Sequence, residues 1–241
     1  MNQIVAFMYG CLAYTVFFIT FLYSIGFVGN LVVPKSIDTG SESTFVVSLL
    51  INVILLGLFA IQHSVMARPG FKQWWTKFIP EPIERSTYVL ISSLLLALLF
   101  WLWQPMTGVV WNVENTFGSF VLSGIFWLGW VIVLLSTFMI NHFDLFGLRQ
   151  VYLNMLNKEY ISIDFKTPAL YKYVRHPIML GFIIAFWATP EMTIGHLVFA
   201  IATSAYIFIG IYFEEKDLMN IHGETYGKYR HQVSMLFPLK K

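Results

Sequence analysis

The chain carries four apolar runs, at about residues 4–28, 44–65, 87–103 and 120–140, each close to or above the ~17 to 25 residues that cross a bilayer. A fifth apolar stretch, about 178–213, is too long for one straight span. It is interrupted at Thr189-Pro190-Glu191, where proline removes a backbone donor and clashes with the preceding turn. Two antiparallel arms joined there are expected. The first arm, Ile178 to Ala188, is only ~17 Å long at 1.5 Å per residue, so it is tilted, partly re-entrant, or extended past Pro190 with the turn nearer Gly195. The expected fold is therefore an all-α integral membrane protein: four transmembrane helices, a C-terminal helical hairpin and a cytoplasmic polar tail, forming one membrane domain over residues 1–241. Composition agrees, because 57% of residues are hydrophobic and only 12% are charged, against about 25% charged in soluble domains.

Charge sets the expected orientation. Arg68, Lys72, Lys77 and Arg85 follow the second span, and Arg149, Lys158, Lys166, Lys172 and Arg175 follow the fourth. Lys216, Lys228, Arg230, Lys240 and Lys241 follow the hairpin, which leaves Lys35 alone on the opposite side. Cytoplasmic loops carry the excess of lysine and arginine, so both termini are expected in the cytoplasm and the membrane is the inner one. The first apolar run lacks a basic leader and is too long for a cleaved signal, so it is expected to remain as a span. Phe71, Trp74, Trp75 and Phe78 fall on one helical face between Lys72 and Lys77, a segment expected to rest in the headgroup layer. The net charge of +2 gives no case for nucleic-acid binding. The single cysteine, Cys11, excludes an intrachain disulfide and any cysteine-based metal site, and no metal is expected.

That topology brings polar groups to the cytoplasmic ends of the spans. Gln62-His63 ends the second, and Asn141-His142-Phe143-Asp144 ends the fourth, followed by Arg149-Gln150. Arg175-His176-Pro177 opens the hairpin. Proline suits a first helical position, and the free N–H groups behind it favour an anion. Arg175 adds a charge with the fork geometry for a carboxylate. Glu214-Glu215 closes the hairpin at the negative end of a helix dipole, a placement that asks for a cationic or hydroxyl-bearing partner. With Tyr171, Tyr173, Tyr226 and Tyr229 nearby, these groups suit a ligand bearing a carboxylate, a cation, sugar hydroxyls and an aromatic base. S-adenosylmethionine has all four features, although composition alone does not single it out.

The ordered set Arg175-His176-Pro177-x-x-x-Gly181, Glu214-Glu215-x-x-Leu218, His222-Gly223-x-x-Tyr226-x-x-Tyr229 and Pro238 resembles the C-terminal signature of the isoprenylcysteine carboxyl methyltransferase-like (NnrU-like) integral membrane family. One position departs from it: Met179 stands where that family often has tyrosine. The stretches GFVGNLVVPKSID, QHSVMARPGFK, ERSTYVL, NHFDLFGLRQV and AFWATPEMTIGH extend the likeness along the chain, toward those members whose acceptor is a small thiol, methanethiol, converted to dimethyl sulfide. The resemblance implies S-adenosyl-L-methionine as co-substrate and a cofactor-binding region at about 142–238. The implied binding residues are Gln150, Tyr173, Arg175, His176, Pro177, Leu180, Gly181, Glu214, Glu215, His222, Tyr226, Tyr229 and Arg230. The absence of any G-x-G loop fits a site that is not of Rossmann type.

Methyl transfer to a thiol needs thiolate, and a cysteine-like thiol with a pKa near ~8.5 supplies little of it at neutral pH. His142 with Asp144 is the expected base, and Glu215 or His176 the second choice. Two residues apart on a regular helix, His142 and Asp144 do not face each other, so they pair only if the helix ends there. A carboxyl methyltransferase acting on a prenylated substrate is the alternative enzyme. A haem- or quinone-binding membrane protein using His63, His142 or His196 is the alternative outside enzymes.

Overall fold

The structure is a computed structural model that describes residues 2–41, 43–163 and 165–238; Lys240 and Lys241, counted above for orientation, lie outside the described residues. In chain order it contains α1 (Gln3–Gly29), α2 (Phe45–Ala67), α3 (Pro69–Trp75), α4 (Glu84–Leu102), β1 (Val109–Asn112), α5 (Thr116–Ile140), α6 (His142–Leu145), α7 (Leu148–Met155), α8 (Pro177–Trp187), β2 (Glu191–Thr193) and α9 (Ile194–Gln232). Among the described residues five helices are long and apolar enough to cross a membrane: α1, α2, α4 with the turn before it, α5 and α9. The protein is an all-α integral membrane protein. Its residues group into two compact units, Met1–Met106 with Asn141–Ser162, and Thr107–Ile140 with Ile163–Lys241.

In the first unit, α1 packs against α4 and α7, and α2 packs against α4. Asn2 starts α1 by accepting the Ile4 N–H, and Asn30, with φ 51°, ends it in the left-handed region that asparagine tolerates. Gly10 lets α7 come close, since a Cβ there would lie 2.4 Å from a methyl of Val151. Asn52, fully buried in α2, is satisfied at the end of α4: its amide donates to the Gln104 carbonyl at 2.8 Å and its oxygen accepts the Gln104 N–H at 2.9 Å. An unpaired amide in an apolar surround costs several kcal/mol, so this pair of hydrogen bonds fixes α2 against the end of α4. The aromatic segment after α2 forms α3, with Trp74 exposed on it and Phe78 exposed just after it.

In the second unit, α5 packs against α8 along a glycine contact. A Cβ on Gly129 would meet the Gly181 carbonyl at 2.7 Å, and a Cβ on Gly181 would meet the Gly129 carbonyl at 2.7 Å. Small residues at such crossings let backbones approach where no hydrophobic effect drives helices together. The first arm of the hairpin is short, as its composition suggests. α8 ends at Trp187, and the turn at Thr189-Pro190 leads into β2 rather than on to Gly195. β2 pairs antiparallel with β1, with Val109 opposite Thr193, Trp111 opposite Met192 and Asn112 opposite Glu191. Thr193 then caps α9 by accepting the His196 N–H at 3.1 Å. α9 does not stop at Phe213 but runs on through the polar segment to Gln232. Up to His222 it is a continuous helix of ~43 Å, longer than the ~30 Å hydrocarbon core, and a second helical segment follows the kink at Gly223. From Glu214 to His222 no glycine or proline breaks it, and the one interruption is Gly223, with φ 51°. After α9 the chain returns along the start of α8: the Arg175 N–H donates to the Ser234 carbonyl at 2.9 Å and the His176 N–H to the Met235 carbonyl at 3.2 Å.

Candidate functional site

The second unit gathers most of the residues that the signature singled out. Arg175, His176 and Glu215 are buried, and Glu214 is half exposed. Pro177 starts α8, so the two residues before it sit at the helix mouth with backbone held by the returning Ser234-Met235 segment. One turn of α9 places Glu214 and Glu215 against them. Arg175 Nε donates to Glu215 Oε1 at 2.7 Å, and His176 Nε2 lies 3.1 Å from the same oxygen. Arg230, one helix segment further on, reaches Glu215 Oε2 at 3.0 Å. The other nitrogen of His176, Nδ1, lies 3.4 Å from Glu214 Oε2. Burial alone would push the His176 pKa down, but hydrogen bonds and charge from Glu214 and Glu215 outweigh it and hold the pKa above the ordinary histidine value. An imidazolium bridging two carboxylates is the species this geometry favours.

Arg175 is placed otherwise than its expected part as a fork for a ligand carboxylate suggests. Its Nε is taken by Glu215, and its Nη1 donates to the carbonyls of Arg230 (3.0 Å) and Val233. The guanidinium therefore ties the end of α9 to the mouth of α8. Glu215 likewise is surrounded by three cationic side chains, which suits a permanent anion better than a proton acceptor.

Beside this cluster lies an aromatic group. Phe165 packs against His222, Tyr226 and Tyr229 with ring centroids 5.2, 5.7 and 5.4 Å away. The two tail tyrosines differ in a way that their spacing does not show. The Tyr229 hydroxyl donates to the Tyr171 carbonyl at 2.6 Å. The Tyr226 hydroxyl is buried, at 1% exposure for the residue, and has no hydrogen-bond partner among the described residues. A buried phenol without a partner costs free energy that a ligand acceptor would restore. Tyr173 is 67% exposed and turned out of this group. Pro177 and Gly181 are buried in α8, while Leu180, partly buried, packs with Ile207, Ile211 and Leu236. Met179, where tyrosine was the family habit, packs in that same apolar cluster.

The first unit holds the remaining residues. α5 ends at Ile140, and Asn141 caps the single turn α6 by accepting the Asp144 N–H at 3.1 Å. His142 is buried, and its Nε2 lies 2.8 Å from the Tyr14 hydroxyl. Burial lowers its pKa, so the imidazole is neutral and able to accept a proton. Asp144 turns to other partners: Arg149 Nη1 donates to its carboxylate at 2.9 Å, with Gln150 at 3.4 Å and the Tyr160 hydroxyl at 3.4 Å. The Gln150 amide oxygen is buried and has no partner among the described residues. His63 meets the Tyr88 hydroxyl (2.9 Å) and Ser92 (3.3 Å) on α4. His196, in the second unit, has its Nε2 2.9 Å from the Phe186 carbonyl. Among the described residues no three His, Cys, Asp or Glu side chains come together as a metal-binding group would.

The profile of the NnrU protein family matches residues 50–213. The chain belongs to that family. It is 57% identical over 231 residues to a methanethiol S-methyltransferase of Crocosphaera subtropica, covering 96% of this chain and 91% of that protein. It is 55% identical to methanethiol S-methyltransferase 1 of Bradyrhizobium diazoefficiens, over 99% of this chain and 84% of the relative. To a methanethiol S-methyltransferase of Mycobacterium tuberculosis it is 53% identical, over 99% of this chain and 98% of the relative. No solved structure matches the chain.

The stretch shared with the NnrU profile includes His142, Arg175 and His176 and stops one residue short of Glu214. The full-length relatives extend the likeness across Glu214, Glu215 and the tail tyrosines. Two contributors escaped sequence reasoning. Phe165 forms the aromatic floor under the tail, yet it stands alone in a polar loop with no periodicity to mark it. Tyr14 sits in an apolar helix as one aromatic residue among many, and only its contact with His142 distinguishes it.

Proposed function

We propose that this protein transfers the methyl group of S-adenosylmethionine to methanethiol, giving dimethyl sulfide. The observation that carries the proposal is the identity of more than half of all residues, over nearly the whole chain, with three proteins named methanethiol S-methyltransferase. The second unit supports the donor side. Tyr226 offers a hydroxyl with no partner among the described residues, Glu214 a half-exposed carboxylate, and Phe165 and Tyr229 ring faces suited to an aromatic base or a sulfonium. Since Arg175 is spent internally, the ligand carboxylate falls to Arg230, whose side chain is 54% exposed. Gln150, Tyr173, His176, Pro177, Leu180, Gly181, Glu215 and His222 complete the proposed set, with His176, Pro177, Gly181 and Glu215 acting by shaping the mouth of α8.

The bound co-substrate supplies an already activated methyl group and a neutral leaving thioether. What is left for the protein is to orient the acceptor, exclude water and help the thiol lose its proton. Of the three proposed catalytic residues, His142 fits proton acceptance best, because it is neutral and buried. Asp144, held by Arg149, sets the turn that carries His142, and Glu215 is held as an anion by its three partners. We propose that both termini face the cytoplasm in the inner membrane, on the distribution of lysine and arginine. Reporter fusions in the 107–119 loop and at the C-terminus are expected on opposite sides.

The test of function is a radiolabelled methyl-transfer assay with purified protein, offered methanethiol, ethanethiol and a prenylcysteine carboxylate. Label is expected on methanethiol, and more slowly on ethanethiol, since one methylene in a small pocket is worth only ~1 to 3 kcal/mol. Label on the carboxylate with none on either thiol reverses the substrate assignment.

A further inference from the structure

Near the middle of α1 the apolar surface is broken by a phenol. Tyr14 is half-buried, and its hydroxyl lies 2.8 Å from His142 Nε2. The pair is set in aromatic rings. Tyr14 stacks on Phe18 at 6.3 Å and meets Phe17 at 5.9 Å, while His142 meets Phe146 at 4.8 Å and Phe143 at 5.5 Å. Phe17 and Phe146 are themselves stacked at 3.8 Å. Tyr14 stands roughly 16 Å along α1 from its start, and the pair is enclosed by these apolar rings. Polar side chains in such surroundings are expensive and mark function more often than packing. Aromatic faces also welcome a small polarisable sulfur.

We propose that Tyr14 is a further catalytic residue, which takes the proton of the thiol acceptor and passes its own to His142, within an aromatic thiol site formed by Phe17, Phe143 and Phe146. The inference rests on the function proposed above. The geometry suits a phenol that donates to Nε2, leaving its oxygen lone pairs for an incoming S–H. As the thiol sulfur bonds the methyl carbon, its proton moves to the Tyr14 oxygen and the Tyr14 proton moves to Nε2. The carbon–sulfur bond of the donor breaks with its electron pair kept on the leaving thioether. The products are dimethyl sulfide, the demethylated donor and an imidazolium that later loses its proton to water. Two charged groups on the elements beside His142 are engaged elsewhere. Arg85 of α4 donates to the Leu145 carbonyl at 2.9 Å, and Asp144 of α6 is paired with Arg149 of α7 at 2.9 Å. Burial keeps His142 neutral before the reaction.

The decisive variant is Tyr14→Phe, which keeps the ring contacts and deletes the hydroxyl. General acid–base catalysis contributes roughly a hundredfold or more, so turnover at neutral pH is expected to fall by about that factor. It should recover as the pH approaches the pKa of the free thiol. Affinity for S-adenosylmethionine, measured by calorimetry, should stay at the wild-type value. His142→Ala should show the same loss, and the double variant no further one, because residues acting as a unit are not additive. A second readout needs no donor. The His142 imidazole, followed by NMR with labelled histidine, should change its titration midpoint in Tyr14→Phe. A Tyr14→Phe enzyme with the wild-type pH–rate profile, or a double variant whose losses multiply, overturns the relay. A wild-type protein that methylates no thiol overturns the functional reading itself, and the two failures are told apart by that control.

Discussion

Arg175 and Glu215, 40 residues apart in the chain, form a buried ion pair at 2.7 Å with side-chain exposures of only 6% and 7%. Removing Glu215 takes away the anion shared by Arg175, His176 and Arg230, and loss of the counter-charge to buried cations typically costs ~3 to 5 kcal/mol. Glu215→Ala is therefore expected to lower the melting temperature sharply in detergent, and Arg175→Ala less, because Glu215 keeps His176 and Arg230. The pair Asp144–Arg149, with exposures of 20% and 29%, belongs to a different regime. There Asp144→Ala should cost only about 1 kcal/mol. Equal losses at the two pairs would show that the Arg175–Glu215 pair does not lock the second unit.

The two tail tyrosines give a sharper separation of fold from function. Tyr229→Phe removes a hydrogen bond to the Tyr171 carbonyl and should cost about 0.5 to 1.5 kcal/mol of stability. Tyr226→Phe removes a buried hydroxyl with no partner among the described residues, so the folded protein should be unchanged or slightly more stable. The same change should weaken S-adenosylmethionine binding roughly tenfold, as expected for one lost bond of about 1.4 kcal/mol. Melting curves and calorimetric titration on both variants decide this. A destabilised Tyr226→Phe with normal affinity removes Tyr226 from the proposed site.

Why these two tyrosines could not be told apart beforehand is instructive. The spacing of Tyr226 and Tyr229 marks them as neighbours on one tail, but their different fates depend on a carbonyl at Tyr171, more than fifty positions earlier. The internal partners of Arg175 were hidden for a similar reason. A guanidinium beside a helix start looks ready for an anion, and only the fold brings Glu215 and the carbonyls of Arg230 and Val233 to it. The membrane helices, in contrast, were legible because the thickness of a bilayer imposes a length on apolar runs that local sequence reports directly. The short arm α8 was legible from Pro177 and Pro190 at its two ends. The β1–β2 ribbon was not, since Val109 and Thr193 find each other across four intervening helices, α5 to α8. Continuation of α9 past Phe213 was hidden because polarity there says where the membrane ends, not where the helix does.

The crossing of α5 and α8 makes a further prediction. Ala at Gly129 would put a methyl 2.7 Å from both the Ala185 nitrogen and the Gly181 carbonyl, contacts with backbone that cannot rotate away. Overpacking of this kind costs ~1 to 3 kcal/mol. Gly129→Ala should lower the melting temperature accordingly. At Gly124, on the same helix, an added Cβ meets nothing within 4 Å. Gly124→Ala should be neutral or mildly stabilising, as alanine is the better helix former by up to ~1 kcal/mol. Similar melting temperatures for the two variants would remove the close crossing from the account of the second unit.

His176 links the ion-pair cluster to pH. Its ordinary pKa is 6.5, and in the folded protein the two carboxylates raise it against the opposing effect of burial. A raised pKa means that the folded state holds the proton more tightly than the unfolded state does. Below 6.5 both states are protonated, and the imidazolium contributes its full stabilisation. Between that value and the folded pKa only the folded state keeps the proton, so the contribution shrinks as pH rises, and above the folded pKa it is gone. The difference in melting temperature between the wild type and His176→Gln should therefore be largest in mild acid and narrow toward alkaline pH. Subtracting the variant cancels groups that titrate alike in both proteins. Donor affinity should follow the same course, because loss of the imidazolium leaves Glu214 and Glu215 facing each other across the mouth of α8. A difference that instead widened as pH rose would mean that His176 is buried neutral, and that the arrangement of Glu214 and Glu215 rests on Arg175 and Arg230 alone.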